Sequence, residues 1–104
     1  MNGNAEASID QLVAELAAVL LDKKLLLATA ESCTGGGIAQ ALTSLAGSSN
    51  WFDTGFVTYS NEAKQRLLNV SPDLFQPGAP GAVSEETVLA MTAGAIANSR
   101  ATVA

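Results

Sequence analysis

Residues 25–37 constrain the fold more than any other stretch of this chain. Residues 25–30, Leu25-Leu26-Leu27-Ala28-Thr29-Ala30, form an apolar run broken only by Thr29, and the run is short enough to be one strand. It lacks the alternation of a strand with one wet face, so both of its faces are expected to be covered. It runs into a polar turn, Glu31-Ser32-Cys33-Thr34, and then into Gly35-Gly36-Gly37. Helical spacing resumes at Ile38, Ala41, Leu42 and Leu45. A strand, a polar turn and a glycine-opened helix in that order predict an α/β layered domain.

The flanking segments agree. Ile9, Leu12, Val13, Leu16, Ala17 and Leu20 repeat at three- and four-residue intervals, which predicts an amphipathic first helix, with Ser8 and Gln11 as its capping box. Residues 1–7 are polar and small and read as a flexible start; residues 8–104 read as one domain. Residues 51–59 are rich in aromatic and β-branched types and predict a second strand, bent at Gly55. Ser60 or Asn61 caps a helix through Leu68, and Ser71-Pro72-Asp73 reads as a further cap. Residues 76–81 form a stiff Pro/Gly loop, and Ser84 caps a helix with Val88, Met91, Ala95 and Ile96 as its apolar stripe. Ala101-Thr102-Val103-Ala104 reads as the opening of another strand.

Composition excludes several classes of function. Only five residues of 104 are basic, against ten acidic, and they are scattered, so no stripe exists to neutralise nucleic-acid phosphates. There is no His and a single Cys, which removes the usual zinc sets and a disulfide within the chain. No window has the length and apolarity of a membrane span or a signal peptide, so a cytoplasmic protein with no membrane partner is expected. The charged fraction is only 14%, little polar surface for a small domain, and a homo-oligomer is expected.

Ser32 sits where a buried strand turns toward a helix start, a place where free amides favour negative charge. A hydroxyl there can attack a carbonyl. The plain alternative is that Glu31, Ser32 and Thr34 cap the helix. With no His, a base for Ser32 must be Lys or a carboxylate, and Lys64 lies in a polar cluster directly after the second strand. Such a base must act as the free amine; on local grounds alone Lys64 reads equally as a solvated helix residue. Tyr59 could donate a proton or orient the base, or be a strand residue with a wet hydroxyl, and Cys33 reads as a small buried hydrophobe.

Four motifs resemble those of the CinA C-terminal domain family. They are Thr29-Ala30-Glu31-Ser32-Cys33-Thr34-Gly35-Gly36, Gly47-Ser48-Ser49-Asn50-Trp51-Phe52, Gly55-Phe56-Val57-Thr58-Tyr59-Ser60-Asn61-Glu62-Ala63-Lys64 and Gly81-Ala82-Val83-Ser84-Glu85. The resemblance implies a three-layer α/β/α domain on a mixed sheet, lacking the family's last strands and helix. It implies a cofactor-free amidohydrolase that converts the pyridine mononucleotide nicotinamide mononucleotide to nicotinic acid mononucleotide and ammonia. In that mechanism Ser32 is the nucleophile, Lys64 the base and Tyr59 its assistant, with Glu31, Thr34, Gly35, Gly36 and Asn61 on the substrate. Pro80 stands where the family often has His, and the glycine- and proline-rich loop that follows in the family is expected to be missing. The competing expectation is a non-catalytic module acting in self-association or nucleotide binding.

Overall fold

The computed structural model describes residues 3–104. A long helix α1 (Gly3–Lys23) leads to strand β1 (Leu27–Glu31), helix α2 (Gly37–Thr43), a 3-10 turn (Ser48–Asn50) and strand β2 (Phe52–Val57). Helix α3 (Asn61–Leu68), a second 3-10 turn (Pro72–Phe75) and helix α4 (Glu85–Ala97) follow. The two strands run parallel, Leu27 opposite Phe52 and Glu31 opposite Val57. On the other edge of β1, Val103 forms a parallel bridge with Leu27, and the Val103 carbonyl accepts from the Ala28 amide at 2.8 Å. β1 is therefore central, paired on both sides. The strand expected at the end of the chain is present as this bridge. Every pairing among the described residues is parallel, so the mixed character expected of the sheet is not seen in them.

Alternation along β1 divides the core in two. Leu27 packs with Val13, Ala17 and Leu20 of α1, Leu42 of α2 and Trp51. Ala28, its neighbour, points the other way and packs with Leu68, Val70, Met91, Ala95 and Ala101. Helices thus cover both faces of the strand, the three-layer arrangement expected from its unbroken apolarity.

Some expectations need correction. α1 begins at Gly3, so Ser8 lies inside the helix and cannot be its cap; Ala5, Glu6 and Ala7 are good helix formers that carry it back toward the start. Of the expected α1 face, Val13, Ala17 and Leu20 are buried, while Ile9, Leu12 and Leu16 stay exposed. Of the expected α4 stripe, Met91 and Ala95 are buried, joined by Thr87 and Gly94, while Val88 and Ile96 are exposed. The reason is Gly94, which lets the backbones of α4 and α3 touch: a Cβ there would overlap the Leu68 carbonyl oxygen and lie 2.6 Å from its carbon. That contact turns Val88 and Ile96 outward. Gly55 is likewise a point of close approach within β2, since a Cβ would lie 3.2 Å from the Ala39 Cβ of α2.

Candidate active site

Glu31, the last residue of β1, points toward α2, on the same side as Leu27 two pairs of residues earlier. It is 2% exposed. One carboxylate oxygen accepts from Thr34 Oγ1 at 2.6 Å and from the Ile38 amide at 2.9 Å, and the other accepts from the Ala39 amide at 2.8 Å. Burial pushes this carboxyl up, but the Thr34 hydroxyl and the two amides outweigh burial and hold it below the usual carboxylate range. Gly36 occupies the cap position of α2 at φ 97° and has no side chain to cap with. Glu31 supplies the missing cap from the preceding strand, and its charge meets the positive end of the helix.

This divides the two readings of the turn. Capping falls to Glu31, braced by Thr34, and Ser32 is left half-buried with no side-chain hydrogen bond among the described residues. The α2 amides expected to stand free are occupied, those of Ile38 and Ala39 by Glu31 and that of Gly37 by the Thr34 carbonyl at 3.0 Å. The amides of Cys33, Thr34 and Gly35 are the unclaimed donors of the turn. Cys33 is exposed at the tip of this turn, not a buried hydrophobe.

α3 places the lysine. Ser60 caps it, its hydroxyl accepting from the Ala63 amide at 3.0 Å. Side chains on a helix lean toward its start, so Lys64 runs back over this first turn and donates to the Tyr59 carbonyl at 3.4 Å. Lys64 is 2% exposed and, among the described residues, has no carboxylate partner; the ion pair there joins Arg66 to Glu62. The solvated reading of Lys64 is therefore wrong. Tyr59 is 80% exposed, and what it offers the lysine is its backbone carbonyl.

The two pieces meet at the carboxyl ends of β1 and β2. The connection from β1 to β2 runs through α2 on one face of the sheet and the connection from β2 to Val103 through α3 and α4 on the other, and open α/β sheets bind ligands outside the carboxyl ends of their strands. A cavity of about 680 Å³ opens there. Ser32, Tyr59, Asn61 and Lys64 line it together with Glu31 and Thr34, whereas Gly35 and Gly36 do not. Gly35 and Gly36 have φ of 60° and 97°, and they shape the turn. The far wall is Ala82, Val83, Ser84 and Glu85 with Val88, Met91 and Thr92 of α4. Sequence reasoning gave these no part in the site, only a helix cap at Ser84, an apolar stripe through Val88 and Met91 and a motif at Gly81-Ala82-Val83-Ser84-Glu85. The wall is pinned by Ser84 Oγ and Thr87 Oγ1, each 2.7 Å from the Gly81 carbonyl. No cluster of His, Cys, Asp and Glu suited to a metal ion occurs among the described residues, and no helix among them is long and apolar enough to cross a membrane.

The fold and cavity define an α/β/α domain that presents a serine without a side-chain hydrogen bond and a buried lysine at the carboxyl ends of two parallel strands. The chain belongs to the CinA C-terminal domain family, whose sequence profile matches residues 9–104. A nicotinamide-nucleotide amidohydrolase PncC of Enterobacter agglomerans is 49% identical over 92 residues, 88% of this chain and 55% of that protein. A protein of the same name from Pseudomonas putida is 60% identical over 73 residues, 70% of this chain and 44% of that one. The crystal structure of the competence/damage inducible protein CihA from Agrobacterium tumefaciens superposes with a TM-score of 0.84 at 46% identity, covering 89% of this chain and 55% of that one. The chain thus spans about half the length of the relatives it matches.

Proposed function

We propose that this chain hydrolyses the carboxamide of nicotinamide mononucleotide, giving nicotinic acid mononucleotide and ammonia through an acyl-enzyme on Ser32. One observation carries the reading: the unencumbered Ser32 and the buried, carboxylate-free Lys64 line the same cavity. The names of the relatives supply the substrate class. Lys64, as the free amine, takes the proton of Ser32 Oγ while that oxygen attacks the carboxamide carbon. The amides of Cys33, Thr34 and Gly35 are the donors left for the developing oxyanion. Lys64 returns the proton to the departing nitrogen, ammonia leaves, and water repeats the sequence on the acyl-enzyme. Tyr59 serves Lys64 through its carbonyl, its ring and Asn61 stand at the cavity for the substrate, and Glu31 and Thr34 hold the turn in shape. Ammonia release from the mononucleotide tests the proposal. Ser32→Ala should abolish it with the thermal transition unchanged; turnover equal to wild type would remove Ser32 as the nucleophile.

Self-association belongs to a second reading, favoured by a separate observation. Ile9, Leu12 and Leu16 of α1 and Ile38 of α2 border an apolar groove of about 490 Å³, and the radius of gyration is 15.0 Å, against about 13 Å for a compact chain of this length. Light scattering at low micromolar concentration tests it, and a monomer there would refute it.

A further inference from the structure

Two buried side-chain oxygens among the described residues have no hydrogen-bond partner, Thr29 Oγ1 and Thr58 Oγ1. Buried hydroxyls are nearly always paired, and an orphan calls for an explanation. Thr29 lies on the α2 face, in the tight contact with Gly55 and Ala39. Thr58 is different. It is fully buried at 0% exposure, and its amide donates to the Glu31 carbonyl at 2.9 Å, extending the ladder one residue past β2. By alternation its side chain shares a face with Phe56, which packs into the core under α3 and α4. The residues that α3 buries on that face are Lys64 and Leu68. So the one layer holds a hydroxyl with an unused acceptor and an amine whose protein contact is a single long bond, 3.4 Å, to the Tyr59 carbonyl.

We infer that Thr58 is a positioning residue for Lys64, its hydroxyl oxygen receiving the N–H that Lys64 gains when it takes the proton of Ser32. The inference rests on the Ser32–Lys64 reading above. In that step the O–H bond of Ser32 breaks as Oγ bonds to the carboxamide carbon, and the carbonyl π pair moves onto oxygen. Lys64 Nζ passes from two N–H bonds to three. The Tyr59 carbonyl and Thr58 Oγ1 accept two of them, and the third stays aimed at the leaving nitrogen. Thr58 does not line the cavity, so it acts through Lys64 and not on substrate. A hydroxyl left unpaired in the resting protein and used only after proton transfer lowers the barrier to chemistry without aiding substrate binding.

Thr58→Val removes the acceptor at nearly constant shape, and Thr58→Ser keeps it. In the full chain, kcat for ammonia release should fall about tenfold in the Val variant, equivalent to about 1.4 kcal/mol of barrier, with KM within roughly twofold of wild type. Its thermal midpoint should hold or rise, since an orphan hydroxyl has been replaced by a methyl. The Ser variant should recover most of the lost kcat. The inference is overturned by a Val variant with wild-type kcat, by a Ser variant as slow as Val, or by a slow Val variant whose thermal midpoint has also dropped. Failure of the underlying reading has another signature: wild type itself releases no ammonia, and the role of Thr58 falls with it.

Discussion

Glu31→Gln is the sharpest test of how the turn is built, because it changes one atom and the charge while keeping the shape. The carboxylate takes three hydrogen bonds, from Thr34 Oγ1, Ile38 N and Ala39 N. Gln can keep the first two through its carbonyl, now as neutral bonds, each weaker by about 1 kcal/mol than its charged counterpart. Its amide nitrogen then faces the Ala39 N–H, donor against donor, and that amide is orphaned at a further cost of about 1 kcal/mol or more. The favourable charge at the helix start disappears as well, worth about 0.3–1 kcal/mol. Against these, a neutral side chain costs less to bury. The net expectation is a loss of about 2 kcal/mol at pH 7, or roughly 8–16 °C in the thermal midpoint for a domain of this size. Urea unfolding of the two proteins measures it. Because the folded carboxyl lies below its ordinary value of 4.5, its stabilisation is complete above that value and is lost as pH falls through the lower folded value. The gap between wild type and Gln should therefore close in acid. A difference below about 0.5 kcal/mol at pH 7, within the range of an ordinary surface substitution, would refute the remote cap.

Other perturbations give equally direct readouts. Gly94→Ala should destabilise by about 2 kcal/mol, overpacking against the Leu68 backbone outweighing a helix-propensity gain of about 1 kcal/mol. Gly37→Ala, at a position with open space, should be neutral or mildly stabilising; equal midpoints for the two variants would count against the α3–α4 contact. Lys64→Met replaces a buried amine with an apolar chain of similar reach, so urea unfolding should show unchanged or higher stability while ammonia release is lost. Retained release would remove Lys64 as the base.

The layered fold was legible because residues 25–30 offer no wet face, and a strand covered on both sides leaves little choice of architecture. The caps at Ser60, Ser71 and Ser84 were legible too, since each is a local event in which a hydroxyl accepts an amide two or three residues on. The cap of α2 was not, because it comes from Glu31 on the preceding strand, across a turn whose path depends on Gly35 and Gly36. The burial of Lys64 was hidden for a similar reason: in its own helix it sits among Glu62, Gln65 and Arg66, and only the sheet and α4 decide that its face points inward. The far wall of the cavity depends on how α4 docks, and that follows from a backbone contact at Gly94 which no hydrophobic pattern announces.

The central place of β1 has a consequence for breathing motions. With ladders to β2 on one edge and to Val103 on the other, its amides belong to the part of the chain that opens only when the whole domain does. Amide hydrogen exchange should therefore be slowest at Ala28, whose N–H is held by Val103 and whose side chain is fully buried, and much faster at exposed Val83 across the cavity. Ser32 is mounted one residue past the most protected strand, while Ala82 and Val83 of the wall facing it lie on a loop outside the strand ladders. Adaptation to different ligands, in solution or over evolution, then falls to the wall, with the nucleophile's position as the fixed reference.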